Sequence, residues 1–413
     1  MKFLTALSLL FASYGVANAY NNCTHTCRVL VTEDGVEWGA ENNDWCIIDQ
    51  SLCVKEEDKN QCFSFPNYLC CNECNVVLED EEGKWGYENN RWCGIKDTCT
   101  KQAEPEPKPE KKEFCAKHII TSMYTADPAP LIVDDTLYIY TTHDEDVLIN
   151  NFYTMRDWYV FSTKDMVNWT NHGPILSLDD ITWADDRAWA PQTIERNGKY
   201  YFYYPAHKID GGMAVGVAIG DSPVGPFKDI GEPLVYQDDW IDFDPTVFID
   251  DDGQAYLYFG NPQLRYVLLN EDMVSYNEEV GIVDVELTVE GFGEGNNNPT
   301  SYDEGPFFYK RNGIYYMLFS GFRKGYESEY IGYATSTSPT GPWKYGGILM
   351  EEHEDKTFTN HSSIVEFNGH TYFFFHTGDL PDGGDFHRSV AYIEFEYNED
   401  GSINPITNNL GKC

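Results

Sequence analysis

The 413-residue chain carries 28 Lys and Arg against 68 Asp and Glu, a formal charge of −40, and 12 cysteines. So acidic a chain lacks the clustered cations that neutralise phosphates, which excludes nucleic acid and anionic membrane surfaces as partners. A neutral substrate meets no such repulsion, and the many Tyr, Trp and Phe side chains suit stacking on sugar rings as well as packing.

Met1-Lys2-Phe3, an apolar run to Phe11 and Val16-Ala17-Asn18-Ala19 give the charged start, short apolar stretch and small-x-small site of a secretory leader. Residues 1–19 are therefore expected to be removed from an exported protein. The run is shorter than the roughly 20 apolar residues of a membrane span. Export predicts oxidised cysteines, and ten of the twelve lie between Cys23 and Cys99. Segments that small cannot bury enough core without staples.

This region is an internal repeat. Cys23, Cys27, Trp38-Gly39, Glu41-Asn42-Asn43 and Trp45-Cys46 recur 47 residues later as Cys70, Cys74, Trp85-Gly86, Glu88-Asn89-Asn90 and Trp92-Cys93. Two disulfide-rich modules are predicted, over 20–56 and 61–100. Cys62 and Cys71 are left over and are expected to bond to each other. Zinc held by Cys70-x-x-x-Cys74 is a rival reading, disfavoured by the oxidising compartment and the spacing. Residues 101–113 include Ala-Glu-Pro-Glu-Pro-Lys-Pro-Glu-Lys-Lys, an extended, coreless linker.

The run Cys-Phe…Tyr-x-Cys-Cys…Gly-x-Trp-Gly-x-Glu-Asn-Asn-x-Trp-Cys-Gly-Ile resembles the dockerin modules of anaerobic fungi. The resemblance implies tethering to a scaffold protein in a cellulosome-like extracellular complex, with Trp85, Tyr87, Asn89 and Trp92 on the docking face. The first module has Ala40 where the second has Tyr87. A related bacterial motif binds cellulose, the alternative role, and some of the tryptophans are expected to be core.

Residues 114–413 read as all-β, with short apolar and aromatic runs between Gly, Asp and Asn turns. One pattern recurs five times: Asp127-Pro-Ala-Pro…Leu137-Tyr-Ile-Tyr, Ala190-Pro-Gln-Thr-Ile…Tyr200-Tyr-Phe-Tyr-Tyr, Asp244-Pro-Thr-Val-Phe…Tyr256-Leu-Tyr-Phe, Glu304-Gly-Pro-Phe-Phe…Tyr315-Tyr-Met-Leu-Phe and His361-Ser-Ser-Ile-Val…Tyr372-Phe-Phe-Phe. Pro130, Pro191, Pro245, Pro306 and Ser363 are taken as equivalent positions. A second strand pair follows each copy, so each period holds about four strands and the domain is predicted to be a five-bladed β-propeller. Cys115 and Cys413 are expected to clasp its ends.

The first strand of each blade lines the axis, which brings Asp127, Trp189, Asp244, Glu304 and His361 to one rim. Crowded carboxylates supply both a proton and a base, the pair that glycoside hydrolysis needs. Asp-Pro, Trp-Ala-Pro, Asp-Pro-Thr-Val-Phe and Glu-Gly-Pro-Phe, in this order, resemble glycoside hydrolase family 43. The resemblance implies an inverting enzyme, with Asp127 the general base, Glu304 the general acid and Asp244 the carboxylate that tunes its pKa. Trp189, His361 and Arg388 would contact substrate. No cofactor is required; the metal it implies is a structural calcium near His361.

The expected activity is removal of α-L-arabinofuranosyl or β-D-xylosyl units from plant cell-wall polysaccharide by a monomeric catalytic domain. Endo-arabinanase action and a non-catalytic carbohydrate-binding propeller are the alternatives. Of the glycosylation sequons, Asn360 is expected to be bare.

Overall fold

The computed structural model describes residues 21–413 apart from 24–25, 42–43, 50–61, 65–67, 69, 89–90, 97–98, 100–113, 238, 353, 355–356 and 413. The expected leader, the linker, Asn89 and Cys413 lie outside the described residues. The chain divides into two compact units, Met1–Lys112 and Glu113–Cys413. Among the described residues no helix is long and apolar enough to cross a membrane.

The first unit holds two three-stranded antiparallel sheets, Val31–Glu33, Val36–Glu41 and Asp44–Ile47, then Leu78–Glu79, Lys84–Glu88 and Arg91–Gly94. Asp34 and Gly35 both have positive φ, the turn that a two-residue hairpin requires. Each sheet is stapled at the same place, by Cys23–Cys46 and by Cys71–Cys93. The Cys23 amide donates to the Ile47 carbonyl, and the Cys71 amide to that of Gly94.

The expected Cys62–Cys71 bridge is therefore corrected: Cys62 bonds to Cys70, and Cys74 to Cys99. Cys71, not Cys70, is the counterpart of Cys23. The fixed 47-residue offset misled because the second module is one residue shorter at its head, 22 positions separating its stapled cysteines against 23 in the first. Trp85, expected on the docking face, is core: it meets Phe63 and Tyr68 edge-on, and its indole N–H donates to Asp80 Oδ2 at 2.9 Å. Tyr87 and Trp92 stay exposed, cross-strand partners with ring centroids 5.3 Å apart. Trp45 is exposed opposite Ala40, without that partner ring.

The second unit is a ring of five antiparallel sheets, a five-bladed β-propeller. The innermost strands are Thr125–Val133, Gln192–Arg196, Thr246–Ile249, Tyr302–Arg311 and Ser363–Phe367. Alternation along the second strands explains the ring. Tyr140 faces blade 2, whereas Leu137 and Ile139 face blade 5. Phe202 and Tyr204 face blade 1, and Tyr203 faces blade 3. Phe373 and Phe375 face blade 4, and Phe374 faces blade 1. Both faces of each blade are buried, so strands that would alternate apolar and polar in an open sheet read as unbroken aromatic runs.

Tyrosine hydroxyls stitch neighbouring blades by donating to loop carbonyls: Tyr140 to Pro223 at 2.6 Å, Tyr203 to Met273 at 2.7 Å, Tyr258 to Pro339 and Tyr316 to Gly401 at 2.9 Å. Blade 5 has Phe374 where the pattern would put a tyrosine, and Tyr392 on its third strand bonds Met166 instead. The recurring Asp-Met-Val turns have a local cause. Asp165 accepts from the Val167 and Asn168 amides, Asp272 from those of Val274 and Ser275, and Met166 and Met273 take positive φ.

The ring closes through Lys117–His118, which pairs with Ser389–Phe395 as the outer strand of blade 5. Cys115 is disulfide-bonded, and Cys413, its expected partner, is outside the described residues.

Candidate active site

Inner strands of neighbouring blades start at one rim, around a cavity of about 240 Å³ lined by residues from all five blades. Asp127, Trp189, Asp244, Glu304, His361 and Arg388 all line it. Phe152, Tyr153, Met155, Phe243 and Phe358 complete its apolar wall.

The backbone that presents the acids is unusual. Asp127 and Asp244 both have φ +56°, a left-handed conformation that asparagine and aspartate tolerate best, and each precedes a proline. Gly305 has φ +60° and also precedes a proline. Pro128, Pro245 and Pro306 are thus the equivalent prolines, and the alignment through Pro130 is two residues out. The strand register shifts between Ala126 and Ala129, around Pro128. In blade 4 the left-handed position went to glycine and the acid moved one residue back, to Glu304. A second irregularity between Glu304 and Phe307 accompanies the shift.

Asp127 is buried and fully engaged. Its Oδ2 accepts from Thr142 Oγ1 at 2.9 Å, and its Oδ1 lies 3.2 Å from Arg388 Nη1 and 3.3 Å from His376 Nδ1. His376 Nε2 must donate to the Thr359 carbonyl at 2.6 Å, which fixes the ring. Arg388 is held in turn by Asp144, with Nη2 at 2.9 Å from Oδ1 and Nε at 3.0 Å from Oδ2. Burial alone would raise the Asp127 carboxyl, but the Arg388 guanidinium outweighs it and holds it below the usual carboxylate range.

The other two acids go the opposite way. Burial, then the charge of Asp127, pushes Asp244 up to about 7. Burial, then Asp244 and Asp303, pushes Glu304 well above its ordinary 4.5. Asn261 Nδ2 donates to Glu304 Oε2 at 2.9 Å and fixes the carboxyl without neutralising it. Burial lowers His361 to about 4, so it lines the wall as a neutral imidazole near pH 7.

One cavity thus holds a carboxylate kept ionised beside a carboxyl kept protonated, the pairing that acid–base cleavage of an acetal uses. Residues 117–403 match the family described as "Glycosyl hydrolases family 43". The chain belongs to that family.

It is a glycoside hydrolase, and residues 14–48 and 61–95 match a "Cellulose or protein binding domain". The family 43 enzyme is 34% identical to "Xylosidase/arabinosidase 43A" of Humicola insolens, over 69% of this chain and 97% of that protein. It is 31% identical to "Xylosidase/arabinosidase" of Bacteroides ovatus, over 70% and 96%. Among solved structures, a family 43 beta-xylosidase/alpha-arabinofuranosidase from a compost microbial metagenome, in complex with xylotriose and calcium-free, superposes with TM-score 0.63 at 31% identity, covering 71% and 98%.

The sequence did not point to Asp144, His376, Thr142 or Asn261. A signal existed for two of them: Thr142 and His376 are polar residues at the ends of second strands that are otherwise aromatic. Among the described residues, the clusters that bring His, Cys, Asp or Glu ligand atoms within 4.8 Å of one another leave out His361. Calcium beside it would therefore have to draw the oxygens that ion favours from outside such a cluster, with His361 the residue nearest to it, and no step below uses a metal.

Proposed function

We propose that the family 43 enzyme is a secreted, inverting exo-glycosidase that releases α-L-arabinofuranosyl and β-D-xylosyl units from hemicellulose. Asp127 takes a proton from water as the water oxygen attacks the anomeric carbon. Glu304 gives its proton to the glycosidic oxygen as the carbon–oxygen bond breaks. Burial, and then the negative charge of Asp244 and Asp303, raises the pKa of Glu304 so that it can deliver a proton, and Asp244 also anchors the backbone next to it. Exchange with solvent then restores both carboxyl groups.

The observation that carries this reading is the convergence of Asp127, Asp244 and Glu304 on one cavity, with Asp127 bound by the Arg388 guanidinium and Glu304 held by Asn261 without a cation. The cavity volume, about 240 Å³, favours exo action. It falls below the roughly 300–1,000 Å³ of sites that enclose drug-sized ligands, and suits one terminal sugar better than the threaded chain of an endo-arabinanase. A binding protein would have no use for carboxyls held against their ordinary titration. The similarity to proteins named xylosidase/arabinosidase supports the two pentosides together. Tethering to a scaffold protein is assigned to the second module, through the exposed pair Tyr87 and Trp92.

The test is hydrolysis of aryl α-L-arabinofuranoside and aryl β-D-xyloside by the full chain beside Asp127→Ala and Glu304→Ala. Turnover of either sugar, lost with Asp127→Ala, is expected. Turnover unchanged in both variants, or none by the parent on these substrates or on arabinan and xylan, would overturn the assignment.

A further inference from the structure

The turn Gly260-Asn261 follows the second strand of blade 3, Ala255–Phe259, and ties together the segments that present Asp244 and Glu304. The Gly260 amide donates to the Phe243 carbonyl at 2.8 Å, and the Asn261 amide to the Ile241 carbonyl at 3.2 Å. Both acceptors lie just before Asp244. The Gly260 carbonyl accepts from the hydroxyl of Tyr302 at 2.6 Å, a fully buried residue two positions before Glu304. The backbone of this turn is thus fixed to both acid-bearing segments. From it the Asn261 side chain presents one nitrogen to two carboxyl groups, with Nδ2 at 2.9 Å from Glu304 Oε2 and 3.4 Å from Asp303 Oδ2. Asp303 is held through its other oxygen, which accepts from Asn298 Nδ2 at 3.5 Å.

We propose that Asn261, oriented by Asp303, is the positioning residue of the proton donor: it leaves Glu304 Oε1 to carry the proton and supports the carboxylate that remains once the proton has gone. The inference rests on the reading of Glu304 as the general acid. A side-chain amide can turn either its NH₂ or its carbonyl toward a protonated carboxyl. As a carboxylate Asp303 can only accept, so it holds the NH₂ edge toward the acids. With an N–H already on Oε2, the proton resides on Oε1. It passes from there to the glycosidic oxygen as the bond to the anomeric carbon breaks and its electron pair stays on that oxygen. Asn261 exchanges no proton, but its bond to Oε2 strengthens as Glu304 becomes an ion, the condition for a contact that favours the transition state. Around Glu304 stand Asp127 and Asp244 in the cavity, Asp303 beside it, Glu329 with an oxygen within 4.8 Å, and the neutral His361, Tyr153 and Tyr302. Arg388 is committed to Asp127 and Asp144. The carboxylate left behind therefore draws its support from the Asn261 amide.

The experiment measures kcat, KM and the pH profile of the full chain on phenyl and dinitrophenyl pentosides. Asn261→Ala is expected to lower kcat on the phenyl glycoside about 10–100-fold with KM close to the parent value, the cost of a misplaced acid. The loss on the dinitrophenyl glycoside should be much smaller, because that leaving group departs without a proton. The alkaline limb of the phenyl-glycoside profile should move to higher pH, since the lost donor favours the ionised form of Glu304. Asp303→Asn, close to isosteric, removes a negative charge beside Glu304 and should move the same limb to lower pH. A merely structural role would give equal losses on both glycosides and leave the limb in place. Equal losses in Asn261→Ala, or a limb unmoved in both variants, overturn the proposal. Failure of the parent to turn over either glycoside, or equal losses on the two in Glu304→Ala, would instead remove the general-acid reading beneath it.

Discussion

The Gly305 amide donates to Asp244 Oδ2 at 3.0 Å, joining the backbone next to the proton donor to the carboxylate that raises its pKa. The contact exists because Gly305 takes the left-handed conformation that Asp127 and Asp244 take in their own blades. A β-carbon there would meet the Asn360 carbonyl and Ser320 Oγ at 3.3 Å. Gly305→Ala is expected to destabilise the propeller by about 1–2 kcal/mol. It should also lower kcat more than it raises KM, measured by thermal denaturation and steady-state kinetics.

Activity should follow a bell in pH. Its acid limb belongs to Asp127, held below the ordinary 3.8, and its alkaline limb to Glu304, held above the ordinary 4.5. Arg388→Gln removes the cation that offsets burial at Asp127, so the acid limb of kcat/KM should move to higher pH. A profile that keeps its acid limb would show that Arg388 does not set the charge of Asp127.

The raised pKa of Glu304 also makes a stability prediction. A carboxyl whose folded pKa lies above its unfolded one contributes stability that is complete below the unfolded value and is lost as pH rises through the folded value. Glutamine mimics the protonated form at every pH. Glu304→Gln should therefore melt higher than the parent at alkaline pH and match it near pH 4. Calorimetry across that pH range reads the difference.

Tyr203 is fully buried and its hydroxyl donates to the Met273 carbonyl of the next blade. Tyr203→Phe leaves that carbonyl unpaired and should cost about 1–3 kcal/mol. Denaturant unfolding of the full chain measures it, and kcat should stay close to the parent value because the bond lies away from the rim.

Much of this was legible in the sequence because a repeat shows its period. The five copies running from Asp127, Ala190, Asp244, Glu304 and His361 predicted the blades and the rim residues before any coordinates. What escaped were features without a period. The Asp144–Arg388–Asp127 chain joins residues 244 and 261 positions apart, and Asp144 sits in a His-Asp-Glu-Asp run that reads as a solvated turn. The pairing of Cys62 with Cys70 escaped because adjacent Cys70 and Cys71 offered two registers for one repeat. Trp85 and Trp92 have equal claims in sequence. Only strand pairing places one under Phe63 and Tyr68 and the other beside Tyr87 on the surface.

The most direct test of the division of labour between the two acids is the dependence on leaving group. Aryl β-D-xylosides or α-L-arabinofuranosides with dinitrophenyl and plain phenyl leaving groups should be compared in Asp127→Ala and Glu304→Ala. A dinitrophenolate departs without a proton, so Glu304→Ala should retain most activity on it while losing about 10²–10⁴-fold on the phenyl glycoside. Asp127→Ala should lose activity on both. Equal losses on the two substrates in Glu304→Ala would contradict its assignment as the proton donor.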